Sequence, residues 1–469
     1  MTSRDERTQH VLGELAAEIV DFYRHIRMRP VAPSVGPVKI RERLARYDFA
    51  RPLALTEVMA DVIHMMRQWT AHGGHPRHLG LFDPGVGLAS VVADALAALY
   101  NPQLAVWNTA PGAIEIEQHV LRALATRLGF DATTCSASFT SGGAEANFTA
   151  LLVALTRAHP TIARDGLVGL DARPVIYLSH EGHGSFVKAA HAVGIGRDAV
   201  RRVACDASLV LDPADLEHQV LRDRSNGLAP LMAVATIGST AAGAIDPIGA
   251  MAEVCARHAV WLHADAAWGG SAVLSPALAT HVEGLAHADS ITWDAHKWLG
   301  VSMGAGMFFC KHRDAVRDAF AVEAAYMPRD IADDRVQPFA TTMQWSRRFA
   351  GLKVFMSLAE SGFEGYARRI EHQLAMADLL RQRLEDDGWT IVNRSPLPVL
   401  CFVHPEMRER SITPRRVLTY LYDHQIAWLS EARPGGGESV LRACVTNHAT
   451  EARDVDAVVK GLREALETL

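Results

Sequence analysis

The sequence predicts an α/β protein built on a mainly parallel sheet, and two observations predict it. Between residues 114 and about 310, helical periodicity alternates with short, nearly all-apolar runs at 175–178, 232–236, 260–263, 290–293 and 306–310. Apolar strands without polar alternation, separated by helices, are strands covered on both faces, as in a parallel sheet. The second observation is where the reactive side chains stand. His183, Thr240, Asp265 and Lys297 each follow the end of one of these runs. Ligands of such sheets bind beyond the carboxyl ends of the strands, so four distant stretches converge on one crevice.

The remaining elements follow in chain order. Residues 8–27 carry helical periodicity through Val11, Leu12, Leu15, Ile19, Val20 and Phe22. The run from Met28 to Pro37, with Pro30 and Pro33 inside it, breaks that helix and reads as an extended connector. Helical stretches follow at 55–69 and 91–99, with the turn-rich segment from His75 to Gly85 between them. Beyond the sheet region come helices at 348–358 and 364–386, and strands at 388–392, 398–403 and 440–445. Gly435-Gly436-Gly437 is a hairpin or loop tip, and a helix from about 452 closes the chain. The predicted division is an N-terminal helical segment (1–85), a large α/β domain (86–347) and a small α+β domain (348–469).

Composition narrows the function classes. The chain has 469 residues, 49% hydrophobic and 21% charged, which is ordinary for a globular protein with a sizeable core. A formal net charge of -6 gives no basic footprint for nucleic acid. Six scattered cysteines without a Cys-x-x-Cys pair argue against a disulfide framework or zinc cluster and fit a reducing cytoplasm. Met1 to Arg7 is charged and lacks the apolar core of a signal peptide, and no apolar run reaches membrane-spanning length. His180 and His183 do not have the His-Glu-x-x-His spacing of a metal site, so no metal is expected.

The chemistry centres on Ser290 to Gly300, where Asp294-Ala295-His296 delivers Lys297 into a Trp- and Leu-lined setting. A lysine between apolar neighbours loses hydration, and its free amine becomes a nucleophile able to form a Schiff base with an aldehyde. Pyridoxal phosphate (PLP) is the commonest protein-bound aldehyde. Taken alone, such a lysine also reads as a surface residue with a buried stem. Asp265 changes the balance. It ends the run Val260 to Asp265 and is followed by small residues, which suits an acid that keeps a pyridine nitrogen protonated beside a flat ring. Thr140 to Asn147 is a Gly-rich turn opening a helix, and N–H groups at a helix start suit a phosphate.

Thr140–Asn147, Asp265–Gly270 and Ser290–Trp298, in this order and spacing, resemble the group II PLP-dependent amino-acid decarboxylases over nearly the whole chain. The resemblance implies the PLP-dependent transferase fold of type I, a homodimer closed by the N-terminal layer, and an amino acid as substrate. It implies that Lys297 holds the cofactor, Asp265 pairs with the ring nitrogen, and Thr240 hydrogen-bonds Asp265. Ala267 and His183 would face the two sides of the ring. Gly143 and Ala144 would hold the phosphate, with Asp294 and His296 nearby. Asp294 stands where the family often has asparagine, and a carboxylate beside a phosphate is unfavourable, so Asp294 is expected to face a donor or backbone instead. Tyr326 matches a loop tyrosine that protonates the substrate carbon after CO₂ departs. The entrance segment has Gly85-Val86-Gly87-Leu88-Ala89 where members acting on aromatic substrates carry bulky aromatic groups, leaving Trp107 as the candidate wall. The reading is an L-amino-acid α-decarboxylase releasing an amine. A decarboxylating aldehyde synthase on the same scaffold and a non-catalytic relative are the alternatives. The substrate side chain stays open, as does the role of Arg347 and Arg348.

Overall fold

The computed structural model describes residues 4–322 and 335–469. Its large sheet contains β1 (Ser136–Thr140), β2 (Pro174–Ser179), β3 (Val200–Val203), β4 (Ala229–Thr236), β5 (Trp261–Asp265), β6 (Ser290–Asp294) and β7 (Gly306–Cys310). The strand order is β1-β7-β6-β5-β4-β2-β3. Every neighbouring pair from β6 to β3 is parallel, whereas β7 runs antiparallel to both β6 and β1. Successive residues of one strand enter opposite cores. Val175 and Tyr177 of β2 join one cluster and Ile176 and Leu178 the other; Phe309 and Phe308 of β7 divide in the same way. Both phenylalanines are fully buried, each contributing about 1.5–3 kcal/mol. Two covered faces explain why these strands read as unbroken apolar runs.

Two strands of this sheet, and the short strand Ser430–Ala432 of the second sheet, were not expected. β1 is the polar run Ser-Ala-Ser-Phe-Thr, and β3 is an edge strand with Arg201 and Arg202 at its centre. Neither carries the apolar signal of the interior strands.

A second sheet, entirely antiparallel, contains β8 (Thr390–Ile391), β9 (Val399–Val403), β10 (Ser430–Ala432) and β11 (Val440–Cys444) in the order β10-β11-β9-β8. Its core holds Leu380 and Leu384 of the helix Gly351–Asp386, and Val455, Val458 and Leu462 of the helix Ala452–Thr468. Gly362, with a φ of 63°, is non-helical and divides this stretch into two helices, as the sequence predicts. Leu79 belongs to the same core. Its N–H donates to the Trp428 carbonyl (2.8 Å) and its carbonyl accepts from Cys444 (2.6 Å), which fixes the segment before Phe82 on this sheet.

The N-terminal part folds as α1 (Arg4–His25), α2 (Pro37–Leu44) and α3 (Leu55–Trp69), followed by α4 (Leu88–Tyr100). α2 falls where the sequence read the end of a connector. Pro37 there stops no helix; it occupies a first helical position, where its missing N–H costs nothing. Arg67 joins α3 to Glu18 and Asp21 of α1, and Asp61 accepts from Arg43 and from Tyr47 (2.6 Å). Apolar side chains remain exposed on α1 (Leu12, Val20), α3 (Leu55, Met66) and α4 (Leu88, Leu99, Tyr100). Among the described residues no helix is long and apolar enough to cross a membrane.

Candidate active site

The carboxyl ends of β5 and β6 lie side by side, with Asp265 paired to Thr292 in register. Beyond β6 the chain turns through Ala295 and His296, and the Lys297 N–H closes the turn on the Asp294 carbonyl (3.2 Å). Beyond β1, helix α5 (Gly143–Ala158) opens on the same crevice. Gly143 is required by close approach: a Cβ there would lie 2.9 Å from Asp294 Oδ2 and 3.3 Å from the Ala267 methyl.

Eight of the ten predicted residues line one cavity: Gly143, Ala144, His183, Thr240, Asp265, Ala267, Asp294 and Lys297. The His296 ring stands behind it, 3.3 Å from where a Cβ on Gly142 would be. Its Nδ1 accepts the Ala305 N–H (3.2 Å), and burial lowers its pKa. Tyr326 lies outside the described residues.

Lys297 Nζ is 3.1 Å from Asp294 Oδ2, so the donor that Asp294 was expected to face is Lys297 itself. The other oxygen, Asp294 Oδ1, is buried without a partner among the described residues, as is Thr236 Oγ1 in the same wall. The expected bond between Thr240 and Asp265 is absent. Thr240 is exposed at the cavity, and Asp265 accepts instead from the Asn147 amide (2.9 Å) and the Ala267 N–H (3.2 Å). Thr236, not Thr240, is the register partner of Asp265 between β4 and β5, which puts Thr240 beyond the strand end.

Asn147 belongs to a hydrogen-bond chain whose direction is set at Asp265, whose carboxylate only accepts and so takes an Asn147 amide hydrogen, turning Asn147 Oδ1 toward His263. The Trp261 indole can only donate, and it donates to Ser290 Oγ (2.9 Å). Asn147 Oδ1 accepts from His263 Nε2–H (3.2 Å), so in the neutral ring His263 Nδ1 is the acceptor and takes the Ser290 hydroxyl proton (2.8 Å). The Asn147 amide hydrogens go to Asp265 (2.9 Å) and Ser185 Oγ (2.9 Å). The Ser185 hydroxyl and backbone N–H face His183 Nδ1 at 2.9 and 3.3 Å, which puts the His183 proton on Nε2. Burial holds the His263 pKa down to about 4, so His263 is a neutral link.

Sequence reasoning missed Asn147, Ser185, Thr236 and His263 as site residues. Their available signal was polarity inside otherwise apolar strands or helix faces. Arg442 carries the same signal at the centre of β11. It is buried, its Nη1 donates to the Gly80 carbonyl (2.8 Å) and Ser430 Oγ (3.0 Å), and its Nε and Nη2 have no partner. Its guanidinium lies 4.5 Å from the Phe82 ring, which stacks at 4.5 Å on Trp268 of the cavity wall. Arg347 and Arg348 are occupied elsewhere: Arg347 is buried against Glu117, and Arg348 is exposed beside Asp94 at 3.2 Å. Trp107 does not line this cavity either. Its indole donates to Glu115 (2.9 Å), with Arg335 over its ring.

A buried carboxylate, a lysine, a helix start with free N–H groups and the orphaned Thr236 hydroxyl are complementary to a flat, charged, phosphate-bearing group. Comparison with known proteins bears on what that group is. The conserved domain of pyridoxal-dependent decarboxylases matches residues 37–404. The acidic amino acid decarboxylase of Homo sapiens is 30% identical over 369 residues, which cover 77% of this chain and 70% of that protein. Tryptophan decarboxylase 1 of Oryza sativa subsp. japonica is 28% identical over 403 residues, covering 82% and 77%. The crystal structure of Oryza sativa TDC with PLP and tryptamine superposes with a TM-score of 0.92 at 24% identity, covering 100% of this chain and 99% of that one.

Proposed function

The chain belongs to the pyridoxal-dependent decarboxylase family, and on that premise we propose that it removes the α-carboxyl group of an L-amino acid as CO₂ and releases the amine. It is a PLP-dependent carboxy-lyase of fold type I. When bound, the cofactor supplies an aldehyde that captures an amino group and a protonated ring that draws electrons from the substrate carbon.

The observation that carries this reading is the convergence of Lys297 and Asp265 on one cavity at the ends of adjacent parallel strands. Lys297 is the amine that holds the cofactor, and Asp294 keeps its Nζ aimed into the cavity. Asp265 is the anion beside the ring nitrogen; its partners are all donors, so its charge stays available. Gly143 and Ala144 hold the phosphate by their N–H groups, and Ala267 lies against one ring face. His183 lies against the other and presents its Nε2–H to the reacting group. Thr240 at the cavity mouth contacts the bound group rather than Asp265, and His296 backs the phosphate end. The free edge of Arg442 is a further carboxylate-binding group behind Phe82. Tyr326 is the proposed proton donor, on its place in the sequence.

The protein works as a homodimer in the cytoplasm. Support comes from the exposed apolar residues of α1, α3 and α4, which a second chain would cover, and from six unpaired cysteines. Product analysis of the PLP-loaded enzyme tests the reaction: one amine per CO₂ is expected, and aldehyde with ammonia in place of amine would assign the oxidative reaction.

A further inference from the structure

We infer that the decarboxylase proposed above takes an amino acid whose side chain ends in a cation, an amine or guanidinium, and that Asp83 is the residue that recognises it. The inference rests on the decarboxylase reading and adds the substrate class that the family leaves open.

A second cavity, of about 380 Å³, opens between α1 and the segment 71–86. It reaches His296, the residue preceding Lys297, so that ring is a wall shared with the cofactor end of the site. Most of its lining is apolar, including Ile19, Phe22, Val91 and Val301. Asp83 stands in this lining, and its Oδ1 is buried without a hydrogen-bond partner among the described residues. Burial pushes the Asp83 pKa up, and its backbone hydrogen bond and the neighbouring His296 offset that only in part.

The other polar groups of the cavity do not supply that charge. Glu18 is engaged by Arg67 Nε (3.0 Å) and by Arg29 (3.6 Å), which leaves neither arginine for Asp83. His72 is tied to the Arg67 carbonyl (3.0 Å), and burial lowers the pKa of both His72 and His296, keeping them neutral. One uncompensated carboxylate in an apolar enclosure is costly, and a ligand that brings the opposite charge removes the cost. An acidic side chain would be repelled there. An aromatic one would fill the space and leave the carboxylate unpaired. A side-chain ammonium or guanidinium satisfies both the shape and the charge.

The test is CO₂ release by the PLP-loaded enzyme from L-2,4-diaminobutyrate, ornithine, lysine, arginine, glutamate, aspartate, tryptophan and tyrosine. A cationic member is expected to lead. A charge-assisted hydrogen bond is worth about 1.5–3 kcal/mol, so Asp83→Asn should lower kcat/KM for that substrate about tenfold to a hundredfold. A binding readout stands beside activity. Putrescine should raise the Tm of the wild-type protein more than butylamine does, and Asp83→Asn should remove the difference. If Asp83→Asn does not fold, the putrescine–butylamine comparison on the wild type decides alone. Equal shifts from the two amines, or fastest turnover of an acidic or aromatic substrate, overturn the role of Asp83 while leaving the decarboxylase reading intact. Release of CO₂ from none of the eight overturns the decarboxylase reading first.

Discussion

The side-chain amide of Asn147 bridges Asp265 and His263: its nitrogen lies 2.9 Å from Asp265 Oδ2 and its oxygen 3.2 Å from His263 Nε2. The Asp265 carboxylate is thereby held by a residue 118 positions earlier in the chain. The bridge works in only one orientation, because the Asp265 carboxylate can only accept a hydrogen bond and so faces the amide nitrogen.

Breaking the bridge should impair chemistry more than folding. Asn147→Leu removes a hydrogen bond to a charged acceptor, worth about 1.5–3 kcal/mol, so kcat is predicted to fall about tenfold to a hundredfold. His263→Gln, which keeps a donor toward Asn147, should be much milder than His263→Leu. Equal losses in the two His263 variants would show that volume, not the hydrogen bond, matters there.

The parts legible in the sequence are those whose physics is local. Apolar strands between helices announced the large sheet, and Asp265 and Lys297 announced themselves by standing at strand ends. The chain Trp261–Ser290–His263–Asn147 was illegible because it joins residues from two strands and a helix that meet only in the folded sheet. β1 and β3 escaped because they are the two edge strands of the sheet and their polar or arginine-bearing runs carry little apolar signal. Trp107 as a wall of the site was a fair inference from size, but the chain spends that ring against Glu115 and Arg335.

Asp294 yields a prediction with an unusual sign. A carboxylate 2.9 Å from where a Cβ on Gly143 would sit, with one oxygen unpaired, is poorly matched to a phosphate on that helix start. Asp294→Asn should therefore bind PLP more tightly, by roughly tenfold, the size of one screened charge contact. A fluorescence titration of apo-protein with PLP reads this directly. Weaker binding would mean that the ion pair with Lys297 outweighs the repulsion.

Stability should fall on acidification. Burial holds His75, His78 and His263 down to about 4, against 6.5 in the unfolded chain. Between those values the unfolded chain binds more protons, so stability rises with pH across the window and is lost as pH falls from 6.5 toward 4. Three such groups give a slope of up to about 4 kcal/mol per pH unit in mid-window. Urea denaturation at pH 7, 6 and 5 measures it; a flat profile would place these imidazoles in contact with water.

The proposed role of Tyr326 is tested by which product forms. If its hydroxyl protonates the substrate carbon, Tyr326→Phe should continue to release CO₂ while amine falls and aldehyde, ammonia and hydrogen peroxide are released under air. Amine at the wild-type rate with no aldehyde would move the proton donor elsewhere, His183 being the next candidate.

The most direct measurement concerns Lys297, the residue on which the cavity and the proposed reaction both depend. Mixed with PLP, the wild-type protein should show a visible absorbance band that borohydride traps as a covalent adduct on the peptide containing Lys297. Lys297→Ala should keep its circular dichroism and lose the trapped adduct and all CO₂ release. An adduct on a different lysine, or turnover surviving in Lys297→Ala, would contradict the assignment of this cavity as the catalytic site.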